Sequence, residues 1–176
     1  MTTYMINPFQ KENVIAVLKT VQIIGKNAER EYLKDFHLEK RKECTILYAT
    51  DGVRLLKWET VYSILISEGA ENQPGEDISS GTYRIITLDV KNGMVILEKR
   101  IESKFEKYPD CEAVISASHS DSSTNQILLD TKLLYELTKY FSPHVAINWN
   151  GKASPLTITM LDSIEGLILM LMPRSI

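Results

Sequence analysis

The sequence is poor in the residues that build disulfide scaffolds and metal sites. Among its 176 residues are only two cysteines, Cys44 and Cys111, and they have no metal-ligand spacing. We interpret both as thiols in a reducing compartment. The three histidines, His37, His119 and His144, are far apart and form no ligand motif. These absences argue against a metalloprotein and a disulfide-rich secreted domain, and we expect no cofactor.

Long apolar runs are missing as well. No run approaches the ~18 residues that a membrane-spanning helix needs, and the longest, Leu167 to Met172, has the length of a strand. The first residues, Met1 to Asn7, lack the basic and apolar regions of a signal peptide. The content of 44% hydrophobic and 24% charged residues fits a chain with a sizeable core. We therefore expect a soluble cytoplasmic protein.

Catalytic signatures are equally scarce. The sequence has no glycine-rich phosphate loop. His119 stands beside Ser118, Ser120 and Asp121, which invites comparison with a catalytic triad. Triads, however, are assembled in space from rigid elements, whereas neighbours in a serine-rich stretch are typical of a solvated loop. Cys44 heads a predicted strand, so we interpret it as a structural thiol and not a nucleophile. We expect no enzymatic activity.

The most informative stretch runs from Tyr48 to Leu56. Asp51-Gly52 separates two apolar, β-prone runs there. Because glycine adopts positive φ without a Cβ clash, this pattern predicts a hairpin, with Asp51 as a turn residue and not a site carboxylate. Asn92-Gly93, between the apolar runs 83–90 and 95–101, predicts a second hairpin.

Two segments repeat apolar residues at helical spacing. They predict one helix over Gln10 to Gly25, with Gly25 as its stop, and another over Thr131 to Phe141, with Asp130 as its N-cap. The opposite faces carry five lysines: Lys11, Lys19, Lys26, Lys132 and Lys139. A solvated outer face is the ordinary explanation of such residues, and a nucleic-acid surface is the alternative.

The order of elements suggests a duplicated architecture. A strand, a helix and several antiparallel strands follow one another twice, from Met1 and again from about Gln126. This order predicts an α+β domain with two helices on one side of antiparallel sheets. We divide it into a first half over about 1–66, an exposed acidic loop over 67–80 and a second half over 81–176. A pseudo-two-fold would place both helices side by side and join their lysines into one surface, diluted by Glu12 and Glu136, despite the net charge of −3.

Three segments of this sequence resemble the DNA polymerase sliding clamps, especially the bacterial β-clamp type. Leu47 to Leu55 is similar to the clamp motif Ala-Thr-Asp-Gly-His-Arg-Leu, with Val53 in place of the histidine. The segment 105–115 (FEKYPDCEAVI) is similar to the clamp Phe-Pro-Asp-Tyr segment. The region 129–174 resembles the clamp C-terminal region, which has a lysine-bearing helix, a Ser-Pro hairpin and a terminal Met-Pro segment.

The resemblance implies a DNA-clamp-like fold and a role as a processivity or tethering factor. Clamps are rings whose helices line the hole and touch double-stranded DNA without sequence preference, so the five lysines are the candidate DNA-binding residues. The chain is short for a clamp subunit and holds a single clamp-like domain over 1–176. A closed ring therefore implies a homo-oligomer.

The resemblance also implies an outer pocket for short peptide motifs of DNA polymerase or other replication and repair proteins. Leucine and methionine would line it, and arginine would supply a polar rim. Carried over by motif, the pocket residues are Thr50, Gly52, Val53, Arg54, Leu55, Met170, Leu171, Met172 and Pro173.

Two other interpretations stay open. The chain end, Met172-Pro173-Arg174-Ser175-Ile176, departs from the clamp ending Met-Pro-Met-Arg-Leu and shifts the arginine. A clamp-fold module that binds proteins and never circles DNA is one alternative. An α+β protein whose motif matches arise by chance is the other.

Overall fold

The structure is a computed structural model, which describes residues 1–67, 76–101, 107–117, 131–141, 145–148, 155–160 and 164–171. Within these residues lie the strands β1 (Thr2–Ile6), β2 (Phe36–Lys40), β3 (Thr45–Thr50), β4 (Arg54–Thr60), β5 (Leu65–Ser67), β6 (Gly81–Asp89), β7 (Met94–Arg100), β8 (Val145–Asn148), β9 (Leu156–Met160) and β10 (Leu167–Leu171). The helices are α1 (Lys11–Asn27), α2 (Cys111–Ala117) and α3 (Thr131–Thr138), with 3-10 turns at Pro8–Gln10 and Glu31–Lys34. No helix in these ranges is long and apolar enough to cross a membrane.

The described strands form one sheet in the order β5-β1-β7-β6-β2-β3-β4-β10-β9-β8, and neighbouring strands pair antiparallel. Three of these pairings join the predicted halves of the chain: β1 with β7, β2 with β6, and β4 with β10. Each half thus supplies a strand, a helix and antiparallel strands to a shared sheet. The predicted α+β class is confirmed.

The main core lies between this sheet and the two longer helices. Alternate strand residues point to one face, and Leu56, Trp58 and Leu169 on that face are buried against the stripe of α1 that includes Val17. Leu137 of α3 belongs to the same core, and α3 contacts both α1 and β10. Both helices therefore lie on one side of the sheet, as predicted.

α2, which the sequence did not predict, covers the opposite face of the sheet over β3, β4 and β10. Ile46, Leu55 and Met170 form a second buried cluster with Cys111. Asp110 Oδ1 accepts a hydrogen bond from the Ala113 amide at 3.0 Å, as a helix N-cap does. A helix of seven residues is too short to show periodicity.

The predicted stop of α1 at Gly25 is wrong, because the helix continues to Asn27. Gly25 is buried, and a Cβ built on it would lie 2.7 Å from the carbonyl oxygen of Lys34. The glycine therefore permits close approach of the Glu31–Lys34 turn and does not end the helix.

Both predicted hairpins are present. β3 pairs with β4 around Gly52, whose φ is 90°, and β6 pairs with β7 around Gly93, whose φ is 66°. Of the predicted acidic loop, residues 68–75 lie outside the described residues, while Asp77 forms a β-bridge with Ile66.

Candidate functional site

The surface formed by α1 and α3 brings together two of the five predicted DNA-binding lysines. The ammonium of Lys19, on α1, lies 5.1 Å from the centre of the Tyr140 ring. The ammonium of Lys139, in the turn after α3, lies 5.0 Å from the same ring. Lysines from both halves of the chain therefore converge on one aromatic residue.

The other three lysines are more dispersed. Lys11 begins α1 and lies against the β6–β7 hairpin, with its Nζ 3.5 Å from the carbonyl oxygen of Lys91. Lys26 is near the other end of the helix, about 22 Å away at the α-helical rise. Lys132 is exposed in the first turn of α3. Only Lys19 and Lys139 of the five therefore meet at Tyr140, and the common surface of all five lysines stays a prediction.

Glu136, which was expected to dilute this basic surface, is held by the sheet. Its Oε2 accepts a hydrogen bond from Arg54 Nη1 at 2.6 Å, and its side chain is 20% exposed. Arg54 also donates from Nε and Nη2 to Asp51 Oδ2, at 2.8 and 2.7 Å. The hairpin is therefore joined directly to α3.

The Asp51-Gly52 turn owes its shape to two side chains. Asp51 Oδ1 accepts hydrogen bonds from the amides of Val53 and Arg54, at 2.9 and 2.7 Å. Thr50 Oγ1 donates to the Arg54 carbonyl at 2.7 Å and accepts from the Gly52 amide at 3.1 Å. Asp51 is the turn residue that the sequence predicted, and it is in addition the counter-ion of a buried arginine.

A cavity of about 180 Å³ opens beside this turn. Four predicted pocket residues line it: Thr50, Gly52, Arg54 and Leu55. The facing walls come from Arg30, Tyr32 and Leu33 and from Pro109, Cys111 and Val114. The 3-10 turn and the α2 region therefore form walls that the motif comparison did not include.

Met170 and Leu171, which were also predicted as pocket residues, do not line this cavity. Met170 pairs with Leu55 and Leu171 with Arg54 in adjacent strands, so the two segments do meet. Met170, however, is buried beneath α2, and Leu171 points into the core on the helix side because strand residues alternate between faces. Met172 and Pro173 lie outside the described residues.

Arg54 was predicted to supply a polar rim to the peptide pocket, and its side chain is too buried for that role. Its side chain is only 1% exposed, because Asp51 and Glu136 bind the guanidinium from within the protein. Val53 is 37% exposed at the turn. The accessible part of the predicted pocket is therefore the turn itself and not the arginine.

α2 is held on the outer face of the sheet, the face opposite α1 and α3, by polar contacts around Glu112. Glu112 Oε1 accepts hydrogen bonds from Lys57 Nζ at 2.8 Å and from the Tyr48 hydroxyl at 2.7 Å. The Lys57 ammonium, followed by Tyr48, holds the pKa of Glu112 below its ordinary value. Burial, with the Glu112 carboxylate as a second cause, raises the pKa of Tyr48.

The segment before α2 is anchored as well. The Tyr108 hydroxyl donates to the Tyr48 carbonyl at 3.2 Å, and its ring stacks on that of His37 with centroids 5.6 Å apart. Burial raises the pKa of the Tyr108 hydroxyl. These contacts hold the segment before α2 against β2 and β3.

Metal and triad chemistry gain no support from the described residues. No group of three or more His, Cys, Asp and Glu side chains in these ranges is arranged to hold a metal ion. The Ser118 to Asp121 stretch lies outside the described residues.

No protein-family model matches the chain, and no curated protein matches it in sequence. Solved structures do match its fold. The DNA polymerase sliding clamp of Bacillus subtilis is similar with a TM-score of 0.57 and 11% identity, over 100% of this chain and 64% of that chain. This chain has the sliding-clamp fold.

Two further clamps give the same result. The sliding clamp of Bartonella birtlesii, a DNA polymerase III subunit beta bound to griselimycin, matches with a TM-score of 0.60 and 14% identity over 99% of this chain and 66% of that one. The DNA polymerase III beta subunit of Thermotoga maritima matches with a TM-score of 0.55 and 15% identity, over 100% of this chain and 66% of that one. The resemblance predicted from three sequence segments is therefore confirmed for the fold, and this chain spans less than two thirds of those clamp chains.

Proposed function

We propose that this chain is a sliding-clamp-like, DNA-associated tethering factor. The observation that carries the proposal is the convergence of Lys19 and Lys139 on Tyr140, at the seam between α1 and α3. These are the helices that the sliding-clamp fold turns toward DNA, and their lysines are suited to phosphates as mobile point charges. Binding is expected to be independent of base sequence and weakened by salt, and no catalytic step is part of the role.

The test is retention of the full chain on duplex DNA at several salt concentrations. We expect Lys19→Glu with Lys139→Glu to remove most of the retention, because each reversal replaces an attraction to phosphate by a repulsion. The matched control is Lys42→Glu with Lys107→Glu, which makes the same change in net charge at exposed residues away from the α1–α3 surface. Equal effects of the two pairs, or no retention by the unaltered chain, would overturn the proposal.

The outer cavity is the proposed site for a partner peptide. Its volume of about 180 Å³ accommodates one large apolar side chain and not a whole peptide. Leu55, Leu33 and Val114 supply its apolar walls. A Val114→Trp variant, which fills the cavity, should abolish binding of an apolar-aromatic peptide and leave DNA retention unchanged.

We further propose that several copies of the chain assemble to encircle DNA, and one copy spans 64 to 66% of the matched clamp chains. Within the described residues β8 lies at one end of the sheet with β9 as its neighbour, and Ile147 on it is 43% exposed. An edge of this kind can pair with another copy. Native mass measured at increasing concentration should show a closed oligomer, and a monomer throughout would exclude a stable ring.

A second candidate function is protein binding without DNA. Phe9, Val61 and Tyr62 favour it, because they are 91%, 73% and 54% exposed. Contiguous exposed apolar side chains are typical of contact surfaces, and Val61 and Tyr62 line one groove together with Gln10, the neighbour of Phe9. Retention of partner binding by a chain that shows no affinity for DNA at low salt would select this function over the first.

A further inference from the structure

Tyr140 has an unusual set of neighbours for an exposed tyrosine. It follows α3, is 38% exposed and has the ammonium groups of Lys19 and Lys139 at 5.1 and 5.0 Å from its ring centre. Its neighbour Phe141 packs against the main core, and the Phe141 amide donates to the Thr138 carbonyl at 2.9 Å. The backbone that carries the ring is therefore anchored.

The kind of partner distinguishes these two lysines from several others. Lys40 pairs with Asp77 at 2.7 Å, Lys57 with Glu112 at 2.8 Å and Lys34 with Glu31 at 2.7 Å. A carboxylate neutralises the ammonium that it binds. An aromatic ring attracts an ammonium through its quadrupole and leaves the full positive charge available.

An ordered lysine binds a phosphate with less loss of side-chain freedom than a free one. A lysine side chain loses rotamer entropy when it is immobilised, and a ring that already restrains two lysines reduces that loss on binding. α1, which carries Lys19, and α3, which ends directly before Lys139, are also held together by the shared core.

We propose that Tyr140 assembles Lys19 and Lys139 into one site for the backbone phosphates of a nucleic acid. The inference rests on the proposed function and adds a residue to it. The ligand class is the phosphodiester, bound by two ammonium groups from different halves of the chain. Tyr140 is a positioning residue, which acts through the two lysines.

The test compares Tyr140→Leu with Tyr140→Phe in the full chain, using a duplex DNA of random sequence as the probe. Phenylalanine keeps the aromatic face, whereas leucine removes it and is of similar hydrophobicity. We expect leucine to weaken DNA binding about five- to thirty-fold, the order of two exposed cation–π contacts, and phenylalanine to stay within about two-fold.

Tyr135→Leu is the matched control. Tyr135 lies on α3, is 65% exposed, and among the described residues no ammonium is found over its ring. Its replacement should leave binding within about two-fold. An equal loss at Tyr135 and Tyr140 would overturn the inference, because it would indicate general contact of tyrosines with DNA.

A double-mutant cycle decides whether the ring acts through the lysines. In a Lys19→Ala, Lys139→Ala chain, Tyr140→Leu should cause no further loss, whereas an undiminished loss would refute the positioning role. The affinity of the leucine variant should also depend less steeply on salt. The slope of log affinity against log salt concentration should fall by the equivalent of up to about two phosphate contacts. If the unaltered chain binds no DNA, the proposed function fails; if it binds and leucine equals phenylalanine, only this inference fails.

Discussion

Arg54 Nη1 lies 2.6 Å from Glu136 Oε2, across 82 residues of sequence. The guanidinium is almost fully buried and also binds Asp51, so one cation joins the turn beside the outer cavity to the helix that carries Lys132. The proposed peptide-binding and DNA-binding sides of the molecule therefore share an ionic network.

Replacing Arg54 should lower the free energy of unfolding. Arg54→Met leaves the nearly buried Asp51 carboxylate without its cation, and the loss of one partner of a buried pair costs about 3 to 5 kcal/mol of unfolding free energy. Arg41→Met is the control, because that side chain is 46% exposed in its pair with Glu39 and should cost less than about 1 kcal/mol. Urea unfolding measures both, and similar losses would contradict the buried network.

Gly25→Ala tests the close approach to α1. Helix propensity alone would make alanine more stable by about 1 kcal/mol. The new Cβ would instead lie 2.7 Å from the Lys34 carbonyl oxygen, so we expect a loss of about 1 to 3 kcal/mol. Gln22→Ala, at an exposed position of the same helix, should change stability by less than about 0.5 kcal/mol. A gain in melting temperature for Gly25→Ala would refute the close approach.

The attachment of α2 should weaken in acid. Because the pKa of Glu112 is lowered in the folded chain, its contribution to stability is present above the unfolded pKa of about 4.3 and is lost as pH falls through the folded value. The difference in unfolding free energy between the unaltered chain and Glu112→Gln should therefore be positive at pH 7 and shrink toward pH 3. A difference that is constant with pH would contradict the ionic attachment.

The two cysteines should differ in reactivity. Cys111 is buried between α2 and the sheet, and burial raises the pKa of its thiol to about 12. Little thiolate is therefore available at pH 8. Cys44 is half-buried, and burial with Glu59 also raises its pKa. We expect a thiol reagent to label Cys44 slowly and first. A Cys44→Ser chain should take up label only on unfolding, and rapid labelling of that chain in its native state would contradict the burial of Cys111.

The fold follows closely from local patterns in the sequence. Asp51-Gly52 and Asn92-Gly93 shape their hairpins through their own backbone preferences, and α1 follows from apolar residues at helical spacing. The alternating apolar residues of β9 predict a strand with one buried face, and the continuous apolar run of β10 is typical of a strand that is buried on both faces. The division into two halves stays a prediction about domains.

The site depends on contacts between distant segments, which no local pattern encodes. Sequence reasoning predicted lysines on both helices, but the meeting of Lys19 and Lys139 at Tyr140 depends on how α1 and α3 pack. The same holds for Arg54, whose place in a motif suggested an exposed rim, whereas long-range packing against Glu136 buries it. Local sequence therefore determines the turns, strands and helices of this protein. The long-range side-chain contacts are decided by the tertiary structure, because only the folded sheet brings distant residues within contact distance.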